Sequence, residues 1–433
     1  MRINLPIDYG IRAGVTSLNV IVQNLFLELG KIMNETKEIT ISATLIDNLA
    51  IGDVNMHYDC ALISNMGGFR FPPKSAYNVN ELYIGLVGID EIVLGEEVFL
   101  NQADWKFNKP IIENEIKKWK KDINIIKKIQ VSTESEKEQM IKYLDIPKEK
   151  LIVIPYGVNH LEFKPSNDKL KDREFILSKK MLKNQPYFLH VSEKNYKRKN
   201  IIRLLDAFEK AKNKGIIHNL IIVGKNLPEV YAYASKISGV IVLGFVEYEE
   251  LIKLYQCSDA LINPSLHEGF GIPILEAMAC GIPVITANEY SPPELIKDGG
   301  ITVDARNVED ITKKIIELSQ NEELRIKLGK KALERSMDFS WEQFAEGMID
   351  MLEIKNHSGE NNYKKDYTYA FNRTIVTISQ LHQEMDMIND LLQFDNTRIL
   401  NWIKNNGFEH QDWKYYAIPF KDHILNMEKL KND

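Results

Sequence analysis

Two glutamates and a glycine-rich turn lie close together in segment 264–285. Glu268 precedes Gly269 and Gly271, and Glu276 follows about one turn inside a predicted helix. A glycine turn that opens a helix presents backbone amides to anions such as a diphosphate. Carboxylates beside it accept hydrogen bonds from ribose or sugar hydroxyls. The segment therefore predicts a site for a ligand that joins a diphosphate to a sugar.

A basic loop, residues 190–200, supplies the opposite charge. Arg198 and Lys199 follow a predicted strand, and the helix after them has one apolar face. Cationic side chains stabilise the negative charge that grows on a departing diphosphate. A solvated charge cluster is the alternative interpretation, but the position at a strand's carboxyl end favours a phosphate-binding role.

The elements that must position these residues follow a regular pattern. Short apolar runs alternate with helical segments, and we predict strands at 187–191, 220–224, 240–244, 260–263 and 284–287. This alternation is typical of a parallel, doubly wound sheet, whose ligands bind beyond the carboxyl ends of its strands. The glycine turn and the basic loop both lie at such ends.

The chain of 433 residues exceeds what one hydrophobic core usually supports. Apolar runs at 39–43 and 60–63 predict a first sheet, and segment 129–159 predicts a strand, a capped helix, a strand and a turn. We therefore predict three parts, which are an N-terminal Rossmann-like domain (1–165), a C-terminal Rossmann-like domain (180–350) and a helical extension (356–433). A charged linker at about 163–180 joins the two domains.

Composition restricts the partners and the compartment. A net charge of −6 gives no general attraction to nucleic acid, and three scattered cysteines favour a reducing cytoplasm over a disulfide framework. We see no signal-peptide core and no apolar run long enough to span a bilayer. The expectation is a cytoplasmic protein with at most peripheral contact at the inner face of a membrane; its oligomeric state is left open.

The pattern Glu268, seven residues, Glu276, with the continuation Glu-Ala-Met-Ala-Cys-Gly-Ile-Pro-Val-Ile, resembles family 4 of the retaining GT-B glycosyltransferases, the glycosyl transferases group 1. The resemblance extends over about residues 1–355 and is weakest over 1–125. It implies an α/β fold with two Rossmann-like, doubly wound parallel-sheet domains facing a cleft. The extension then packs back on the N-terminal domain or docks a partner or membrane.

The resemblance also implies an activity. A hexose would move, with retention, from a nucleoside-diphosphate sugar to a hydroxyl of a glycan, glycolipid or glycoprotein, without a metal or other cofactor. UDP and GDP are the bases we expect, and segment 65–73 would form an acceptor-side loop. A GT-B phosphorylase or nucleotide-sugar epimerase lacks the full donor motif. The alternative from another class is a catalytically weak nucleotide-sugar-binding or scaffolding subunit of a glycosyltransferase complex.

The same resemblance gives individual residues their expected roles. Glu268 contacts the transferred sugar, Lys199 holds the donor phosphates with Arg198 before it as in many members, and Glu276 binds the ribose. The further residues expected to approach the donor are Gly14 from a glycine loop of the first domain, Gly224, the base-binding pair Phe245 and Val246, the amides of Gly269, Phe270 and Gly271, and His267, which either reaches the sugar or caps a turn.

Two positions depart from the family pattern. Ile89 stands where many relatives have a histidine near the reacting carbon, and Asp90 follows it. Asp90 or Glu91 then orients the sugar, or transfer is slow, or the acceptor is arranged differently. Glu193 stands where many members have an arginine, which leaves Lys194 or Arg198 as the second phosphate cation.

Overall fold

The protein is described by a computed structural model that covers residues 2–7, 21, 24–25, 28–29, 40–45, 58–64, 79–85, 88–192, 197–224 and 228–352. The predictions for Gly14, for the loop 65–73, for residues 193–196 and for the extension 356–433 lie outside these residues. Both sheets described below belong to one compact unit, Met1–Lys364.

The first sheet has six parallel strands in the order β2-β1-β3-β4-β5-β6. These strands are β1 (Arg2–Ile7), β2 (Thr40–Leu45), β3 (Tyr58–Ser64), β4 (Val79–Gly85), β5 (Ile126–Val131) and β6 (Leu151–Val153). The strands predicted around 39–43, 60–63, 129–131 and 152–154 are confirmed.

The second sheet is also six-stranded and parallel, in the order β12-β11-β10-β7-β8-β9. Its strands are β7 (Tyr187–Val191), β8 (Asn219–Val223), β9 (Val240–Gly244), β10 (Ala260–Asn263), β11 (Val284–Ala287) and β12 (Gly300–Val303). The five predicted strands are confirmed, and β12 was not predicted. It is an edge strand that pairs with β11. Because it has only four residues and begins with a glycine, its apolar run is too short to stand out in the sequence.

Helices connect the strands and cover both sheets. The helices are α1 (Asp90–Leu94), α2 (Gln102–Asp122), α3 (Glu134–Leu144), α4 (Lys169–Lys179), α5 (Ile201–Asn213), α6 (Pro228–Ala234), α7 (Tyr248–Cys257), α8 (Ile272–Ala279), α9 (Ser291–Ile296), α10 (Val308–Gln320), α11 (Glu322–Ser336) and α12 (Trp341–Met351), with 3₁₀ turns at Gly95–Val98, Ile123–Ile125 and Lys148–Lys150.

Local sequence explains where key helices begin. Thr133 caps α3 by accepting a hydrogen bond from the Glu136 amide, and Ser340 and Gln343 form a capping box at α12. Such caps stabilise a helix start by about 1 kcal/mol. The predicted apolar face of α5 is buried through Leu204, Leu205 and Phe208. Each such side chain contributes roughly 2 kcal/mol when fully buried.

The segment predicted as a linker, 163–180, is largely helical, which corrects that prediction. Asp168 caps α4, and Ile176 and Leu177 are buried. Arg173 donates to the Cys257 carbonyl and pairs with Asp259 at 2.7 Å. Part of the charge of α4 is used in this buried ion pair. From composition alone, the charged residues of this segment look solvent-exposed.

The last described helix returns to the first sheet. The Tyr83 hydroxyl of β4 donates to the Leu352 carbonyl at 3.3 Å. The amide of Val158 donates to the Phe339 carbonyl at 3.4 Å, so the two chain crossings between the sheets touch. A Cβ on Gly157 would stand 2.2 Å from the Trp341 nitrogen, which shows how closely the crossings pack. Helix α12 thus joins the first sheet although it lies within the predicted domain 180–350.

Candidate active site

A cavity of about 210 Å³ lies in the cleft between the two sheets. Residues from both sheet regions line it, including Gly88 and Ser132 from the first and Val191 and Ser192 from the second. The predicted site residues that line this cavity are Asp90, Arg198, Lys199, Glu268, Gly269, Phe270, Gly271 and Glu276.

The glycine turn forms as predicted. Strand β10 ends at Asn263, and α8 begins after Gly271, whose φ of 104° lies in the left-handed region that favours glycine. Pro273 stands in the first turn of α8, where its missing amide hydrogen is no loss. A Cβ on Gly269 would meet the Gly88 Cα and Glu136 Oε1 at 3.5 Å, so the turn passes close to the opposite wall.

Glu268 is at the centre of the charges in the cavity. Its Oε1 lies 2.6 Å from Lys199 Nζ and its Oε2 lies 3.1 Å from Arg198 Nη1. The side-chain amide of Asn263 (Nδ2) also donates to Oε1 at 3.3 Å. Burial opposes ionisation of Glu268, but Lys199 and Arg198 outweigh it and hold the pKa of this carboxyl well below its ordinary value. Glu268 is therefore an ionised carboxylate with two cations on it.

Arg198 extends this charge network across the cleft, because its Nε lies 3.4 Å from Asp90 Oδ2. The neighbouring Ile89 is only 1% exposed and belongs to the apolar core beside the first sheet. Asp90, and not Ile89, therefore lines the cavity.

The basic loop is tied to the donor turn by a residue given no role from the sequence. Asn200 precedes α5 in a left-handed conformation and donates to the carbonyls of Pro264 (2.9 Å) and Ala305 (2.6 Å). The Leu266 amide donates to the Arg198 carbonyl at 2.8 Å. These hydrogen bonds fix the position of Arg198 and Lys199 relative to Glu268.

Glu276 lies in α8 with its side chain buried at the cavity wall, beside Tyr248 and Leu251 of α7. Burial raises the pKa of Glu276 to about 7, with the nearby Tyr255 hydroxyl acting in the opposite direction. Near neutral pH this carboxyl exists in both protonation states, so it can accept hydrogen bonds from hydroxyls or donate one.

Four predicted residues stand elsewhere. His267 points to the opposite wall, where its Nε2 lies 2.7 Å from Gln139 Oε1, and burial lowers its pKa to about 4. Gly224 packs against Ser192, with no room for a side chain. Phe245 is 67% exposed and Val246 is buried in the core. None of the four is among the residues that line the cavity.

Glu136 lines the cavity and was missed. Its Oε2 accepts from the Ser132 amide and hydroxyl, both at 2.7 Å, and its Oε1 accepts from the Gly88 amide at 3.2 Å. Burial raises the pKa of Glu136 to about 7 against the effect of these hydrogen bonds. The signal was the pattern Thr133-x-x-Glu136, which marks a helix start and does not by itself indicate a cavity.

The start of α3 also bonds to the second sheet region. Ser132 Oγ also lies 3.1 Å from the Gly269 carbonyl oxygen, and Thr133 Oγ1 lies 2.8 Å from Ser291 Oγ. Glu294 accepts from the amides of Glu134 and Ser135 at 3.1 and 3.2 Å. We call these contacts and the Gln139–His267 pair the cross-cleft contacts of α3. A carboxylate at a helix amino terminus is favourable because it meets unpaired amides and the positive end of the dipole.

Within the part of the chain that the structure describes, no cluster of three or more His, Cys, Asp or Glu side chains is arranged to hold a metal ion. A search of the same residues finds no helix with the length and hydrophobicity needed to cross a bilayer.

Known proteins share this architecture. Residues 172–335 match a family model described as Glycosyl transferases group 1. A solved structure of Anabaena Alr3699/HepE in complex with UDP and glucose superimposes with a TM-score of 0.63, over 82% of this chain and 100% of that chain, at 15% identity. The protein has the GT-B fold and a group 1 glycosyl transferase domain. The predicted fold class is thereby confirmed, and the glycine turn, the basic loop and Glu276 all lie inside the matched segment.

Two curated relatives of this chain come from Escherichia coli. The O-antigen chain mannosyltransferase B is 31% identical over 186 residues, which is 41% of this chain and 49% of the relative. The serotype-specific mannosyltransferase WbdA is 27% identical over 303 residues, which is 65% of this chain and 34% of the relative. The chain thus spans about half of the first relative's length and about a third of the second's.

Proposed function

We propose that this protein is a retaining glycosyltransferase that moves a hexose from a nucleoside-diphosphate sugar to a hydroxyl of an acceptor. The observation that carries the proposal is the pairing of Lys199 and Arg198 with buried Glu268 at the amino terminus of α8. Cations, helix amides and a sugar-binding carboxylate meet in one cavity, which is what a nucleotide-sugar donor needs.

The donor is placed by matching its charges to the cavity. The diphosphate lies against the amides of the glycine turn and against Lys199 and Arg198. Glu268 then accepts from hydroxyls of the transferred sugar, and Glu276 accepts from the ribose. Glu268 and Asp90 offset the two cations in the free protein, so they preserve the cations' positions until phosphate oxygens share them.

The transfer step needs positioning more than a dedicated base. The bond from the anomeric carbon to the phosphate oxygen breaks, and the acceptor oxygen bonds to that carbon on the same face. The acceptor's proton goes to the departing phosphate oxygen. Lys199 and Arg198 stabilise the charge that develops there, and no step calls for a metal ion.

The relatives' names supply the proposed setting. Two are O-antigen or serotype-specific mannosyltransferases, so we propose a glycan or glycolipid acceptor, in cell-surface polysaccharide synthesis in the cytoplasm. UDP and GDP are the proposed bases. Residues 1–165 would then form the acceptor domain and 180–350 the donor domain. Both names describe transferases, which favours an enzyme over a non-catalytic subunit.

The test begins with donor binding. The full chain is heated with UDP-, GDP-, ADP- and dTDP-sugars, and we expect one donor to raise the melting temperature by mass action. Glu276→Ala should abolish that rise. The bound donor is then incubated with glycan and lipid acceptors, and NMR of the product should show the donor's anomeric configuration retained.

Three results would count against the proposal. If the folded protein bound none of the donors, the proposed donor site would be wrong. If the product showed inversion at the anomeric carbon, the proposed retention would be wrong. A donor that binds but is never transferred or hydrolysed would instead favour the nucleotide-sugar-binding subunit.

A further inference from the structure

Helix α2 carries apolar side chains on the side that faces solvent. Phe107 is 73% exposed and Ile111 is 44% exposed, and the pair lies four residues apart, which places them next to each other on one face. The opposite face is already used, because Ile112 and Trp119 are buried in the core of the first sheet region. The outward apolar pair is therefore not required for folding against that core.

Lysines surround this pair. With about 100° of rotation per residue, a sector on the order of 140° wide contains only exposed residues and no acidic ones. We call this sector the α2 outward face, and it consists of Ala103, Lys106, Phe107, Pro110, Ile111, Asn114, Lys117, Lys118 and Lys121.

The acidic residues of α2 lie outside this sector, with Asp104 and Asp122 beyond one edge and Glu113 beyond the other. Lys118 pairs with Glu115, which reduces its share of the free charge. The chain as a whole carries a net charge of −6, so the excess of lysine here is a local departure from an acidic background.

An exposed apolar pair together with lysines indicates which kind of partner binds the α2 outward face. Interfaces between proteins are depleted of lysine at their centre, whereas here four lysines share the outward sector with the apolar pair. A helix that lies in a membrane interface shows the pattern seen here, with aromatic and aliphatic groups next to lysines that contact lipid phosphates. Each lysine near an anionic bilayer surface adds to the attraction.

We propose that the α2 outward face docks the protein on an anionic lipid surface. Phe107 and Ile111 enter the boundary between headgroups and acyl chains, and Lys106, Lys117 and Lys121 lie against the lipid phosphates. Trp105, at the start of α2, packs on Gly95 just after α1, and α1 carries Asp90 of the cavity. Docking therefore brings the first-sheet wall of the cleft near the membrane, independently of which sugar is transferred.

The experiment is co-sedimentation of the full chain with vesicles of phosphatidylcholine alone or with about a third of phosphatidylglycerol. We expect binding to the anionic vesicles to exceed binding to the neutral ones at least tenfold and to weaken as NaCl rises, because salt screens the lysines. The triple variant Phe107→Glu, Lys117→Glu, Lys121→Glu should reduce anionic binding at least tenfold.

A matched variant controls for charge and exposure. Ile326→Glu, Lys327→Glu, Lys330→Glu also changes one large apolar residue and two lysines, at exposed positions of α11, and changes the net charge equally. It should reduce binding at most twofold. Because the exposed lysines can be changed alone, Lys117→Gln, Lys121→Gln provides a milder variant should the triple variant misfold.

Two results would overturn the proposal. One is equal binding by the α2 and α11 variants, which would place the contact elsewhere. The other is concentration-dependent dimerisation that Phe107→Glu abolishes without any vesicle binding, which would make a second copy the occupant. Neither result touches the donor-binding test, because vesicle binding is measured without donor or acceptor.

Discussion

Lys199 is a cation whose partner in the free protein is a buried carboxylate. The 2.6 Å contact with Glu268 holds the ammonium at the cavity wall, and Arg198 shares the same carboxylate. Burying a charge without a partner is costly, so the carboxylate offsets that cost for Lys199 and positions it before a donor arrives. The ion pair thus serves both folding and the proposed chemistry.

Replacing Lys199 by glutamine should separate these two contributions. The amide can still donate to Glu268, so the free energy of unfolding should fall by only about 1–3 kcal/mol. The positive charge that stabilises the departing phosphate is lost with the ammonium, so turnover should fall about 100-fold. Lys197→Gln, two residues earlier, is the matched control and should leave turnover within twofold. Similar turnover in both variants would remove Lys199 from the proposed transfer step.

Glu276 should give the stability a specific pH dependence. Its folded-state pKa of about 7 lies above the ordinary value of 4.5, so between these values the folded protein binds more protons than the unfolded chain. Stability must then decrease as pH rises through this window, and level off above it. Glu276→Gln removes the penalty, and its advantage should grow by up to about 3 kcal/mol between pH 5 and pH 8.

Denaturant unfolding at several pH values measures this difference. Glu229→Gln, at an exposed position of α6, controls for the loss of a carboxylate. If the curves of wild type and Glu276→Gln ran parallel from pH 5 to pH 8, the carboxyl would not be buried as the structure has it.

The residue types of the cavity were largely predictable, but their orientations were not. Glu268, Glu276, Lys199 and Arg198 stand out by type and spacing, and they do line one cavity. The packing of α1 against the first sheet region decides which side chain, Ile89 or Asp90, faces the cavity. No local sequence pattern reveals this choice. His267 pairs across the cleft with Gln139, and that partner is distant in the sequence.

At the scale of elements, the start of α8 depends on one backbone conformation. Gly271 has a φ of 104°, and a Cβ there would stand 2.9 Å from Ile274 Cδ1. An alanine at this position must therefore shift the turn whose amides face the cavity.

Gly271→Ala should lower stability by about 1–3 kcal/mol and should abolish most of the donor-induced rise in melting temperature. Gly215→Ala is the matched control, because its φ of 89° is also positive and nothing lies within 4 Å of the added Cβ. It should cost stability through strain alone and leave the donor-induced rise intact. A loss of the rise in both variants would show that the effect is not specific to the turn.

Elements with strong apolar runs were predictable from the sequence, and elements built on charge were not. The strands predicted at 187–191 and 260–263 coincide with β7 and β10, because buried parallel strands are continuous apolar runs. Helix α4 was predicted as linker because its lysines and acids look solvated. Its Arg173 instead makes buried bonds to Cys257 and Asp259, which only the fold brings within reach.

At the scale of the whole molecule, several contacts join the two sheet regions. They include the pair of chain crossings at Gly157 and Trp341, the cross-cleft contacts of α3, and the ion pairs of Arg198 with Asp90 and of Arg306 with Glu97. The crossings pack backbone on backbone and leave little freedom. The cross-cleft contacts of α3 are a few hydrogen bonds, and we propose that they break and re-form while the chain bends at the crossings.

Glu294→Ala tests whether the cross-cleft contacts assist the proposed reaction. The change leaves the amides of Glu134 and Ser135 without their carboxylate, and the cavity should close less firmly on the donor. We expect kcat/KM for the donor to fall about tenfold, since a loss of about 1.4 kcal/mol in closure gives that factor. Because Glu294 lies at the cleft and not in the core, the melting temperature without donor should change little.

Glu323→Ala, at an exposed position of α11, is the control and should change neither kcat/KM nor the melting temperature. If Glu294→Ala lowered the melting temperature and kcat/KM stayed at the wild-type value, the contact would serve folding rather than closure.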